Sequence, residues 1–104
     1  MFTKNFKQLN KKHVGIAGGK GASLGEMTKV KIPVPPGFVV LSFAFDKFLE
    51  EADLSQNIEL ALKGVNYNDT ASINNASVKI CNLIYNAQIS KNLQKEIVAN
   101  FKKY

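Results

Sequence analysis

The chain has 104 residues, 14 lysines and no arginine, eight acidic residues and a formal charge of +6. That length allows one domain at most with a modest core, and a 45% share of hydrophobic residues excludes a disordered chain. The basic balance raises nucleic acid as a partner, but the lysines are loosely grouped (Lys4, Lys7, Lys11 and Lys12, then Lys102 and Lys103) and the bidentate guanidinium fork is missing, so none is expected.

In chain order, Phe2, Phe6 and Leu9 punctuate a polar stretch that fits a short strand followed by a turn. His13, the one histidine, reads as a solvated loop residue. From Gly19 or Lys20 to about Lys29 the pattern is helical. Ala22, Leu24, Met27 and Val30 share or border one face, and Gly21 and Gly25, four apart, would let another segment approach closely on another. Pro33, Pro35 and Pro36 then impose a rigid extended linker. Their P-x-x-P spacing also suits a proline-rich ligand, but such ligands lie in exposed polar segments, and these prolines stand between a helix and an apolar strand.

Gly37 leads into a short buried strand at residues 38–41, and Ser42 fits the N-cap of a helix over residues 43–52 whose Phe45, Phe48, Leu49 and Ala52 would face a core. A further helix runs from a cap near Ser55 to Lys63, with Ile58, Ala61 and Leu62 on one side, and stops at Gly64. Asn68 or Asp69 can cap the next, which reaches about Ala87 with an apolar stripe of Ile73, Ala76, Ile80, Leu83, Ile84 and Ala87. Cys81, without a partner for an internal disulfide, is expected on that stripe as a buried, inert thiol. Ser90 caps a last helix with Leu93, Ile97, Val98 and Phe101 inward. No apolar run approaches the roughly 20 residues of a membrane span, and Met1 to Asn5 lacks a signal peptide's apolar core, so a cytoplasmic location without a membrane partner is expected.

The chemistry concentrates in Gly18-Gly19-Lys20-Gly21, at the start of the first long helix. Unpaired N–H groups and the helix dipole favour an anion there, glycines allow close approach, and Lys20 adds a full positive charge. This is not a Walker A loop, since Val14 stands where its first glycine is needed and Gly21 where Ser or Thr is needed; nor is it G-x-G-x-x-G, since Leu24 takes the third glycine's place. A phosphate cradle and a plain glycine turn for close helix packing both remain open on these residues alone.

Gly-Gly-Lys-Gly-Ala-Ser-Leu-Gly-Glu-Met (18–27), followed by Ile-Pro-Val-Pro-Pro-Gly-Phe-Val-Val (32–40), resembles the start of the N-terminal nucleotide-binding domain of phosphoenolpyruvate synthases and pyruvate phosphate dikinases. The resemblance is strong over residues 6–50. It implies a single unit over residues 1–104: a helix-rich α+β fragment, the N-terminal subdomain of an ATP-grasp type domain. One short sheet element around residues 38–41, paired near residues 3–6, would be covered by four main helices. The implied function is ATP binding within a phosphotransferase that converts ATP, pyruvate and water to AMP, phosphoenolpyruvate and phosphate. Lys20 matches the family's phosphate-contacting lysine, with Gly18, Gly19 and Gly21 shaping its loop, while Ser23 and Glu26 read as surface or packing residues. Mg²⁺ ligands, a nucleotide-gripping arginine motif, and the phosphohistidine and pyruvate domains would lie beyond Tyr104, so no catalytic residue is expected in this chain. The family usually has glycine where this chain has Lys31. Related dikinases and antibiotic phosphotransferases share similar N-termini, and a stand-alone binding module is the reading from a different class.

Overall fold

A computed structural model describes all residues, 1–104. Short extended segments flank the first long helix and pair with each other. Strand β1 (Thr3–Asn5) runs antiparallel to β2 (Phe38–Val40), with Thr3 opposite Val40 and Asn5 opposite Phe38. The pairing continues past both ends, through Phe6 N–H to the Gly37 carbonyl at 3.1 Å and Leu41 N–H to the Phe2 carbonyl at 2.8 Å. The expected partner of the second strand is therefore the segment near residues 3–6. A sheet of two strands covers little, however. Val40 is exposed, and the buried apolar residue of this stretch is Leu41, just beyond β2.

Helix α1 (Val14–Lys29) lies against these segments through its glycines. A Cβ on Gly25 would stand 2.5 Å from Leu9 Cβ and 2.6 Å from the Leu9 backbone carbon, and one on Gly21 would stand 3.2 Å from Val39. Both glycines are buried, as is Leu9, so the expected close approach is made to the chain just before the helix and to β2.

The C-terminus of α1 is a complete Schellman turn. Ile32 N–H donates to the Met27 carbonyl at 2.9 Å and Lys31 N–H to that of Thr28 at 3.1 Å. Lys31 holds the left-handed position at φ 65°. Asp53 does the same at φ 55° after α2 (Ser42–Glu51), with Leu54 N–H on the Leu49 carbonyl and Asp53 N–H on that of Glu50. The sequence did not announce that second turn, because Asp53 is not glycine, although Asp tolerates this region better than most residues.

Five α-helices are present, one at each place where the sequence pattern predicts a helix, although four main ones were expected to cover the sheet. After α2 come α3 (Ser55–Lys63), α4 (Thr70–Asn86) and α5 (Lys91–Lys103). The chain clusters into two compact units, residues 1–47 with 90–104, and residues 48–89. In the second unit α3 packs on α4, and the Asp69 carboxylate caps α4 by accepting from Ala71 N–H at 3.0 Å. Ser55 is the first helical residue and makes no cap, since the turn at Asp53 feeds Leu54 directly into α3. Gly64 ends α3 with right-handed backbone. Two facing helices bury only the strip between them, so Leu62, Ile73 and Cys81, assigned to apolar stripes by periodicity, are exposed. The thiol expected in a core is at the surface.

Ser90 caps α5 as expected, accepting from Leu93 N–H at 3.3 Å, and Leu93 is buried; but Val98 is exposed and Phe101 is 75% exposed. Phe45 is likewise exposed, while Phe48 is buried. What seats α5 is polar. The Glu96 carboxylate accepts from Phe2 N–H at 2.7 Å and from the Thr3 hydroxyl at 2.6 Å, and Asn100 Nδ2 donates to Thr3 Oγ1 at 3.0 Å. Thr3, buried in β1, thus has its hydroxyl fully used.

Two consequences are measurable. Lys31→Gly should raise stability by up to about 1 kcal/mol, because glycine adopts positive φ without the Cβ clash; urea unfolding that shows a clear loss would rule out strain at Lys31. Burial pushes the Glu96 carboxyl up, but the Thr3 hydroxyl and the N–H groups of Phe2 and Thr3 outweigh it together, leaving its pKa below the usual value. A carboxyl with a depressed folded-state pKa contributes stability above its unfolded value, near pH 4, and that contribution is lost as pH falls through the folded value. Glu96→Gln should therefore destabilise the chain at neutral pH and flatten the acid limb of its stability profile. An equal loss at every pH would contradict the charged latch.

Candidate functional site

The entry to α1 is built from side-chain caps. A single 3₁₀ turn (Lys11–His13) precedes the helix, with Asn10 Oδ1 accepting from Lys12 N–H at 2.8 Å and His13 Nδ1 accepting from Asn10 N–H at 3.0 Å. His13 is therefore a half-buried capping residue instead of a solvated loop residue, and an accepting Nδ1 places the neutral ring's proton on Nε2. Glu26 reaches back from mid-helix to accept from Lys11 N–H at 2.9 Å. It serves packing of the entry turn, as its sequence reading proposed.

Four residues into α1 the backbone leaves the helical path. Gly18 has φ 75° and ψ 169°, a region open essentially to glycine alone. The helical bond from the Gly19 N–H to the Gly15 carbonyl spans Gly18, whose backbone turns the following peptide out of the helical path. The stretch after Gly18 thus has a helix start of its own at Gly19, where the positive end of a helix dipole lies. This agrees with the helical start at Gly19 or Lys20 read from sequence.

Gly18, Gly19 and Lys20 are exposed, and a Cβ on either glycine would meet nothing within 4 Å. Gly21 is different: it is buried, its missing side chain making room for Val39. The four residues singled out by sequence thus stand together at the break, three on an open surface and one facing inward. The exposed part carries a cation and two glycines with no side chain in the way of close approach. Nowhere in the chain do three His, Cys, Asp or Glu side chains stand close enough to hold a metal ion, so no step involving Mg²⁺ is assigned to these residues. No helix is long and apolar enough to cross a membrane.

One further residue reaches this region, and sequence reading gave it another role. The Ser42 hydroxyl, expected to cap α2, instead donates to the Gly15 carbonyl at 3.1 Å, tying the start of α2 to the turn just before the break. No local signal marks an acceptor 27 residues away.

The break at Gly18 thus stands two residues before an exposed lysine. Residues 14–104 match the AMP/ATP-binding domain of pyruvate phosphate dikinase, and the chain belongs to that family, which the phosphoenolpyruvate synthases share. It is 40% identical over 96 residues to a probable phosphoenolpyruvate synthase of Methanothermobacter thermautotrophicus, covering 92% of this chain and 14% of that protein. It is 45% identical over 96 residues to one of Methanocaldococcus jannaschii, covering 92% and 8%. With the phosphoenolpyruvate synthase of Helicobacter pylori it shares 35% identity over 100 residues, covering 92% and 12%. The chain thus spans 8 to 14% of the length of these relatives.

The backbone at the break separates its two exposed glycines. Gly18→Ala should cost about 1–3 kcal/mol, because alanine is excluded from that region. Gly19→Ala has open space and ordinary backbone, and should change stability by no more than about 0.5 kcal/mol. Urea melts of the two variants check this, and equal losses would mean that Gly18 does not hold the strained geometry.

Proposed function

We propose that the chain is the N-terminal part of an ATP-grasp type nucleotide-binding domain, and that Gly18, Gly19, Lys20 and Gly21 form one wall of its ATP phosphate site. The observation that carries the reading is the Gly18 break immediately before an exposed Lys20, in a chain that belongs to an AMP/ATP-binding family. Lys20 contributes a mobile ammonium that follows negative charge on the phosphate oxygens. The amides of Gly19 and its neighbours contribute fixed dipoles that need no reorganisation. Gly21 sets the depth of the site by seating the helix start against Val39.

In the whole protein this wall serves a phosphotransferase that turns ATP, pyruvate and water into AMP, phosphoenolpyruvate and phosphate, in the cytoplasm. Mg²⁺ supplies charge neutralisation there, from ligands outside these residues, and the pyruvate site and remaining domains are supplied by the rest of the enzyme. A related dikinase or antibiotic phosphotransferase differs in the final acceptor, not in this wall. The 104 residues alone bind ATP weakly and do not turn it over. A single lysine and a few amides facing water give a screened interaction, equivalent to an affinity no better than about millimolar, or roughly −4 kcal/mol.

Lys20→Ala in the full-length enzyme tests the assignment. It should remove most phosphoryl transfer while leaving the unfolding transition unchanged, since an exposed lysine contributes little to folding. Near-normal turnover would sink it; turnover by the 104-residue chain would instead overturn the expectation that these residues alone are inactive.

A further inference from the structure

We propose that Ser42 is a positioning residue for the phosphate wall: its hydroxyl, by occupying the Gly15 carbonyl, holds open the helix break that turns the Gly19 amide outward. The inference rests on the phosphate reading of Gly18 to Lys20 and adds a residue to it that touches no ligand. In an unbroken helix the Gly15 carbonyl is the acceptor for the Gly19 N–H, four residues on. Here that carbonyl accepts from Ser42 Oγ at 3.1 Å, and Gly18, between the two, has left the helical region. The two donors, the Ser42 hydroxyl and the Gly19 N–H, compete for the same carbonyl oxygen. Closing the helix would return the Gly19 N–H to the ladder and relieve the unusual backbone at Gly18, at the expense of the amide offered to the anion.

The competition needs a tether on the upstream side. The downstream helix is fixed, with Gly21 against Val39 and Gly25 against Leu9. The turn at residues 14–17 is exposed over Val14 and Gly15, and the side-chain hydrogen bond that reaches it comes from Ser42. Leu41, the residue before Ser42, is buried and bonded through its N–H to the Phe2 carbonyl, so the hydroxyl is delivered from a rigid junction. Binding that needs the open break weakens in proportion to the fraction of molecules that keep it. The Gly15 carbonyl is exposed and water competes for it, so the effect belongs to the lower end of what one hydrogen bond does to an equilibrium, about threefold.

The test uses the 104-residue chain, ¹⁵N-labelled, titrated with tripolyphosphate and with ATP. Ser42→Ala should weaken tripolyphosphate binding by about threefold and slow hydrogen exchange at the Gly19 amide, while signals from α5 stay in place. Ser42→Thr, which keeps the hydroxyl, should restore both. Unchanged affinity and exchange in Ser42→Ala would overturn the proposal, and so would a loss that Ser42→Thr fails to rescue. If Ser42→Ala does not fold, exchange in the unaltered chain decides: a Gly19 amide as protected as those of mid-helix Leu24 or Met27 refutes an open break, and a fast-exchanging one supports it. Lys20→Ala keeps the two readings apart. Binding unaffected by Lys20→Ala removes the phosphate wall, whereas binding lost in Lys20→Ala but untouched in Ser42→Ala removes only the positioning role.

Discussion

Helix α1 lies so close to its neighbours that two of its residues can have no side chain. At Gly25 the backbone of Leu9 occupies the space a Cβ would need, and at Gly21 the Val39 methyls stand at the limit of contact. Overfilling such a contact forces backbone shifts, so the spacing of four between these glycines is a steric requirement on the helix. The rest of the first unit depends on it. With α1 pressed onto Leu9 and Val39, the segments before and after the helix lie near enough to pair as β1 and β2, and the start of the helix is fixed in space.

That fixed start gives the glycine break its value. A helix N-terminus binds anions because its amides are unpaired and its dipole is oriented, but both effects act over about one turn and fade if the terminus moves. Here the terminus lies inside a continuous element, made by one residue in a conformation closed to other side chains, with a seated helix on one side and a capped turn on the other. Under the proposed phosphate role, the exposed Lys20 ammonium meets its ligand without first giving up an internal ion pair.

The second unit is built on weaker terms. Leu54 and Phe48 are its buried apolar residues, while Leu60 on α3, Tyr67 in the loop that follows, and Val78 and Tyr85 on α4 are exposed. Apolar surface of this kind contributes about 25 cal/mol per Å² only when it leaves water, so periodicity identifies a face that is able to be buried without deciding whether it is.

Local rules fixed a good deal of this protein in advance. The helix after the glycines, the proline linker, the caps at Asp69 and Ser90 and the turn at residue 31 follow from propensity, capping chemistry and steric exclusion within a few residues, whereas the pairing of β2 with the N-terminal segment, though expected, joins the distant stretches Thr3–Asn5 and Phe38–Val40. The family was legible for the same reason, since its motif is contiguous. Tertiary structure decided what depends on distant neighbours. It made Ser42 a tether in place of a cap, His13 a capping acceptor and Cys81 a surface thiol, and it chose Val39 as the neighbour of Gly21. A hydroxyl or a thiol carries its donor wherever it goes, but its partner and its exposure are set by segments tens of residues away, which no local pattern encodes.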